Sequence, residues 1–138
     1  TENLVLIDDY AHHPTEIKAV ESSVREMYPN EKALAIFQPH LFTRTRDFID
    51  DFASELSKFD ELLLLDIYPA RENPIEGVNS EWLLNKINSE NKKLVSKENL
   101  IKEIKNSSAK VIVMLGAGDI GMLVKEVENE LKLVERSK

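Results

Sequence analysis

Along the chain, short apolar runs alternate with stretches whose apolar residues recur every three or four positions. The run LVLID, residues 4–8, predicts a short buried strand. After Pro14, the stretch TEIKAVESSVREMY puts Ile17, Val20, Val24 and Met27 on one stripe. That is helical spacing, with Pro14 or Thr15 opening the helix and Glu16 in its first turn. ALAIF, residues 33–37, predicts a second strand, and RDFIDDFASELSKF predicts a second helix carrying Phe48, Phe52, Leu56 and Phe59. ELLLLDIY, residues 61–68, predicts a third strand that is apolar on both faces, as in parallel sheets covered by helices.

PARENPIEGVNS then reads as a loop, after which Ser80 is expected to cap a helix in SEWLLNKI, burying Trp82 or Leu83, Leu84 and Ile87. KLVS, residues 93–96, predicts a weak fourth strand, and residues 98–106 a short helix. AKVIVML, residues 109–115, predicts a fifth strand. GAGDIG follows, then a final helix bearing Ile120, Leu123, Val124, Val127 and Leu131. This β-α order implies an α/β fold of three layers: a mostly parallel sheet of five or six strands with helices on both faces. Residues 1–138 show no internal repeat or linker and are expected to form one domain.

In such a sheet, ligands bind beyond the carboxyl ends of the strands. Asp8, Asp9, Tyr10, His12 and His13 follow strand one. QPHLFTRTRD, residues 38–47, follows strand two, and Asp66, Tyr68 and Arg71 follow strand three. Gly116, Ala117, Gly118 and Asp119 follow strand five. The amino ends start instead from Glu2, Asn3, Lys32, Glu61 and Lys93, ordinary solvated residues. The side chains that carry chemistry have gathered on one edge.

Histidine titrates near neutrality, binds metals and donates to anions. His12 and His13 are adjacent, so one of them is expected to face the site. A metal would need a third ligand from His40 or the nearby acids, but no HxH or HExxH spacing appears, and no metal site is expected. Arg44 and Arg46 sit two apart and splay; an arginine at a strand–helix junction is suited to gripping a carboxylate or phosphate through two parallel hydrogen bonds. Gly116, Gly118 and Gly121 match GxGxxG, but the motif stands after the last strand and no later strand brings the expected acid, so it is not a dinucleotide fingerprint. Its small residues still let a helix N-terminus approach an anion closely, while Asp119 has the alternative role of a helix cap. The Arg71–Glu72 loop suggests a flap or a docking surface. No GxxxxGK[ST] phosphate loop occurs, so the chain lacks the usual means of holding a triphosphate.

Composition narrows the classes. The 42% hydrophobic and 31% charged content is that of a globular protein. A net charge of −7 opposes phosphate backbones, so no nucleic-acid partner is expected. The absence of cysteine rules out a disulfide framework and fits a reducing compartment. No apolar run approaches the roughly 20 residues of a membrane span, and the N-terminus lacks a basic, signal-like region. The first strand begins within a few residues of Thr1, which suggests a piece of a longer chain.

Taken in order, DDYAHHPTEI, FQPHLFTRTRD, LLLLDIYPAREN and LGAGDIG closely resemble the C-terminal domain of the Mur ligase family, in particular its L-alanine-adding member. The resemblance runs from Asp8 to about Leu131. Other Mur ligases and folylpolyglutamate synthetase have related turns without TRTRD; the murein peptide recycling ligase shares the first turn and is the nearest alternative. The resemblance implies a Rossmann-like domain of a cytoplasmic, three-domain enzyme. The N-terminal domain would bind UDP-N-acetylmuramate, and the central domain would hold ATP and Mg2+. This domain would close the site and help to bind L-alanine. ATP would phosphorylate the muramyl carboxylate, and the L-alanine amine would attack the acyl phosphate.

The same resemblance implies roles. Asp9 would accept from the ATP ribose hydroxyls. Tyr10, His12 and Arg44 would face the substrate carboxylate or the reacting phosphoryl group, where a cation stabilises developing charge. Arg46 and His13 would orient that set. The Gly116–Ala117–Gly118 turn would bring backbone N–H groups to the L-alanine carboxylate. No general base is required, since positioning carries most of such a reaction. Leu41 stands where many family members have arginine, so one cationic contact is missing or supplied elsewhere. Two other classes remain open: a stand-alone nucleotide- or anion-binding module, and a protein-docking domain.

Overall fold

The structure, a computed structural model, describes residues 4–136, with side chains up to Leu131. Glu2 and Asn3 lie outside the described residues. Five parallel strands form one sheet in the order β1–β5–β2–β3–β4. They are β1 (Val5–Asp9), β2 (Ala33–Phe37), β3 (Glu61–Leu64), β4 (Lys92–Leu94) and β5 (Val111–Leu115). The helices are α1 (Pro14–Met27), α2 (Phe42–Asp47), α3 (Ile49–Leu56), α4 (Ser80–Lys86), α5 (Leu100–Asn106) and α6 (Ile120–Arg136), with a 3-10 turn at Lys97–Asn99. This is the three-layer α/β fold expected, at the lower of the two strand counts.

The alternation of side chains along each strand divides the core in two. Ala33, Ala35, Phe37, Leu62, Leu64, Val111, Val113 and Leu115 face α1, α3 and α4, where Ile17, Val24, Phe52, Leu56, Leu83 and Ile87 pack. Leu34, Ile36, Leu63, Ile112 and Met114 face α5 and α6, meeting Leu100, Ile104, Ile120 and Val127. All five residues of β2 and all five of β5 are buried, which accounts for their unbroken apolar runs. Each fully buried Leu, Ile or Phe contributes about 1.5–3 kcal/mol over an exposed one.

Several local expectations are corrected. Met27 is 58% exposed; Tyr28, the next residue, packs on the core instead. Glu21 is buried on α1, held by Arg25, which also reaches Asp60. The second helix is broken at Phe48 (φ −119°), so TRTRD forms the separate α2 rather than the lead-in to one long helix. The third strand ends at Leu64; beyond it the Leu65 N–H still donates to the Phe37 carbonyl, and Tyr68 meets His40 only in an isolated bridge. Asn79, not Ser80, caps α4 by accepting from the Trp82 N–H, while the buried Ser80 hydroxyl donates to the Leu65 carbonyl.

The registers set the working edge. Asp9 pairs with Leu115, Leu115 with Phe37, Phe37 with Leu64, and Leu64 with Leu94. The carboxyl ends therefore finish level. Because β5 inserts between β1 and β2, three loops far apart in sequence emerge side by side.

Candidate functional site

The first loop is built by the chain reversal after β1. The Asp9 Oδ1 accepts from the Ala11 N–H at 2.9 Å, closing an Asx turn. Ala11 is buried, and Tyr10 swings out to 77% exposure. The two histidines then separate. His13 is the N-cap of α1: its Nδ1 accepts from Thr15 N–H, and Glu16 returns to the His13 N–H, forming a capping box. Its ring packs edge-on against Phe48, with centroids 4.7 Å apart. His13 is thus tied to the helix. The His12 Nδ1 lies 2.8 Å from the Tyr10 carbonyl, and its ring stands 6.1 Å from that of His40. Hydrogen bonds from the His12 and His13 N–H groups hold the Glu16 carboxyl below the usual carboxylate range against the opposing effect of burial.

The second loop supplies the centre. His40 and Tyr68 form an isolated parallel bridge beyond β2 and β3, and their rings stack at 5.6 Å and 13°. Arg44 Nη1 lies 3.0 Å from His40 Nδ1. Burial pushes the His40 imidazole pKa down; the charges of Arg44 and His12 push the same way, and Glu72 opposes them. Arg46 is exposed and bonds Asp47 at 2.9 Å, on the far side of α2 from Arg44.

Leu41 opens α2 at a positive φ of 73° without a side-chain cap of its own. Glu72 takes that role from another loop: its carboxylate accepts from the Phe42 N–H at 2.6 Å, the Thr43 N–H at 3.1 Å and the Thr43 hydroxyl at 2.5 Å. The Thr43 hydroxyl leads in holding the Glu72 pKa low, with the two backbone N–H groups and Arg46 assisting against burial. The Arg71–Glu72 loop is therefore latched to α2.

The third loop is the glycine turn. Gly116 has φ +146°, and a Cβ there would stand 3.0 Å from the Gln38 carbonyl and 3.0 Å from Ile120 Cγ2. Its N–H donates to the Asp9 carbonyl at 3.2 Å, so this N–H ties two loops together. At Gly118 a Cβ would meet Gln38 Oε1 and Tyr68 Cγ, each at 2.6 Å. The turn is glycine-rich because it is wedged between loops. Gln38, 2% exposed, accepts from the Ile120 N–H at 2.9 Å and donates to Asp119 Oδ1 at 2.5 Å. Asp119 also pairs with Lys97. Burial raises the Asp119 pKa, but Lys97 and Gln38 outweigh it and hold the group ionised. Asp119 is thus a cross-loop anchor. A cleft of about 340 Å³ opens beside it, walled by Asp66, Tyr68, Ser96 and Lys97.

His12, Arg44 and Gly118 thus meet through His40 and Tyr68, and Asp9 joins through Gly116. Tyr10 and Ala117 stand on the same loops, while His13 and Arg46 are engaged elsewhere. The sequence places Gln38, His40 and Tyr68 on the ligand edge and Glu72 in a flap or docking loop, but gives individual roles to none of them beyond His40 as a candidate metal ligand. Gln38 had one legible signal, an amide directly following a fully apolar strand. Among the described residues no three His, Asp or Glu side chains converge as a metal site.

The family model described as Mur ligase, glutamate ligase domain, matches residues 1–122. The UDP-N-acetylmuramate–L-alanine ligase of Christiangramia forsetii is 65% identical over 130 residues, covering 94% of this chain and 29% of that protein. Its counterpart in Flavobacterium psychrophilum is 67% identical over 127 residues, 92% of this chain and 28% of that protein. The chain therefore spans less than a third of the length of these relatives. Among solved structures, the UDP-N-acetylmuramate–alanine ligase of Thermotoga maritima superposes with a TM-score of 0.72 at 27% identity, over 96% of this chain and 27% of that one. A murein peptide ligase from Psychrobacter arcticus shares the fold at 20% identity, with a TM-score of 0.70 over 92% of this chain and 27% of that one. With the family match covering most of its length and these motifs converging on one sheet edge, the chain belongs to the Mur ligase family and is a C-terminal domain of that family.

Proposed function

We propose that this chain is the site-closing, amino-acid-binding domain of a cytoplasmic, three-domain ligase that uses ATP to join L-alanine to UDP-N-acetylmuramate in peptidoglycan synthesis. The observation that carries this reading is the meeting of His12, Arg44 and Gly118 around His40 and Tyr68 at the carboxyl edge, in a chain 65% identical to a ligase of that name. The recycling-ligase alternative shares the first turn, but the murein peptide ligase compared is 20% identical to this chain, against 65% for the L-alanine ligase.

In this reading Arg44 offers a guanidinium to the substrate carboxylate or to the transferring phosphoryl oxygens, whose charge a fixed cation stabilises. His12, on the neighbouring loop, faces the same space. Tyr10, exposed at the lip, provides a ring for substrate contact, and Asp9 an acceptor for ribose hydroxyls. Ala117 and Gly118 bring backbone N–H groups to the L-alanine carboxylate; Gly116 supports them structurally. His13 and Arg46 act indirectly, by capping α1 and by sitting on α2. The triphosphate and its Mg2+ belong to the remainder of the enzyme, which supplies phosphoryl chemistry when loaded. This domain positions the amine acceptor and excludes water.

The test is a coupled assay on the full-length protein. Release of ADP that requires L-alanine, UDP-N-acetylmuramate and ATP together supports the reading. Release driven by a preformed peptide in place of L-alanine favours the recycling ligase and overturns it.

A further inference from the structure

Arg44 stands at this edge on α2, whose first N–H groups Glu72 caps, so its backbone is held while the guanidinium needs a partner of its own. The helix α2 has six residues, its opening residue makes no side-chain cap, and Arg44 is only partly buried. What fixes the guanidinium is the contact of Nη1 with His40 Nδ1 at 3.0 Å. A guanidinium has only donors, so this contact is a hydrogen bond only when Nδ1 carries a lone pair. The His40 ring is in turn clamped on one face by Tyr68, stacked at 5.6 Å, and flanked by His12 at 6.1 Å. Tyr68 is backed by Gly118.

We propose that His40 is a positioning residue: its unprotonated Nδ1 accepts from Arg44 and aims the guanidinium into the site, and protonation of His40 releases it. This rests on the ligase reading and adds a pH-dependent holder for its anion-gripping group. The charged and titratable groups facing the ring are His12 from the β1–α1 loop, Arg44 from α2, and Tyr68 and Glu72 from the loop after β3. Burial, Arg44 and His12 favour the neutral ring, and Glu72 alone works the other way. At acid pH an imidazolium beside Arg44 both loses the acceptor and adds like-charge repulsion. The expected consequence is an acid limb in kcat/KM that belongs to His40.

The experiment compares His40→Phe and His40→Gln in the full-length enzyme. Phenylalanine keeps a flat ring against Tyr68 but removes the acceptor. Glutamine offers a carbonyl acceptor that does not titrate. The expected result is a loss of about 10²-fold in kcat/KM for His40→Phe, the scale of a misplaced reacting group, with Tm within a few degrees of wild type. His40→Gln should recover to within about tenfold of wild type and lose the acid limb. Wild-type kcat/KM in His40→Phe overturns the proposal, as does a glutamine variant whose acid limb matches the wild type. If His40→Phe fails to fold, the glutamine pH profile decides alone. Both comparisons are ratios to wild type with whichever amino acid proves to be the substrate. They can therefore fail while L-alanine ligation stands, and hold where it does not.

Discussion

A Cβ on Gly118 would stand 2.6 Å from Cγ and 2.8 Å from Cβ of Tyr68, so the glycine turn and the His40 platform share one contact surface. The atoms it would strike lie near the Tyr68 backbone, where a rotamer change gives little relief. Gly118→Ala is therefore expected to displace Tyr68 and the His40 ring stacked on it, costing about 1–3 kcal/mol of stability and lowering kcat/KM as well. Gly121→Ala is the control, because nothing lies within 4 Å of its Cβ position and it sits in α6. There the helix should gain up to about 1 kcal/mol with unchanged kinetics. Thermal melts and steady-state rates on the two variants check the pair.

The adjacent histidines should separate experimentally. His13→Ala removes the cap of α1 and its contact with Phe48, and should cost about 1 kcal/mol of stability while leaving kcat/KM within a few-fold of wild type. His12→Ala should leave Tm nearly unchanged and lower kcat/KM by about 10²-fold, the scale of losing one site-facing donor. Equal kinetic penalties for the two substitutions would contradict this division of labour.

Arg44→Lys should rescue Arg44→Ala poorly. A lysine keeps the charge but not the fork that spans His40 and an anion together. Both variants are expected to lose about 10²–10³-fold in kcat/KM with little change in Tm. Arg46→Ala, on an exposed residue paired with Asp47, should be kinetically mild.

Glu72 gives a pH dependence whose sign can be worked out. Its carboxyl is held below the ordinary value in the folded state, chiefly by Thr43. Its contribution is therefore present above the unfolded-state pKa of about 4.3 and disappears as pH falls through the lower folded value. Glu72→Ala should lower Tm at pH 7, and the gap to wild type should close progressively as pH falls through that window. A gap that persists unchanged in acid would assign the effect to packing.

The isolated 138-residue chain should neither turn over substrates nor bind ATP appreciably, since it contains no phosphate loop. Calorimetry with ATP and ADP, beside an assay for phosphate release, tests this. Measurable ADP binding by the chain alone would revive the stand-alone nucleotide-binding reading.

The α/β architecture was legible in the sequence because it rests on local periodicity. Continuous apolar runs in β2 and β5 require burial on both faces, and the stripe from Ile17 to Val24 requires a helix on that sheet. The convergence of the Asp9, Arg44 and Gly118 motifs on one edge followed from the β-α order, and the family from the motifs themselves. What the tertiary structure alone decided was strand order and therefore neighbours. With β5 inserted between β1 and β2, Gln38 could reach Asp119, and Gly118 could reach Tyr68. It also decided what each ring and helix end meets: Phe48 packs on His13, Tyr68 stacks on His40, and Glu72 caps α2, each arriving from a segment tens of residues away. Periodicity reports which face of an element is buried. Only the folded chain reports what that face, or the loop beyond it, touches.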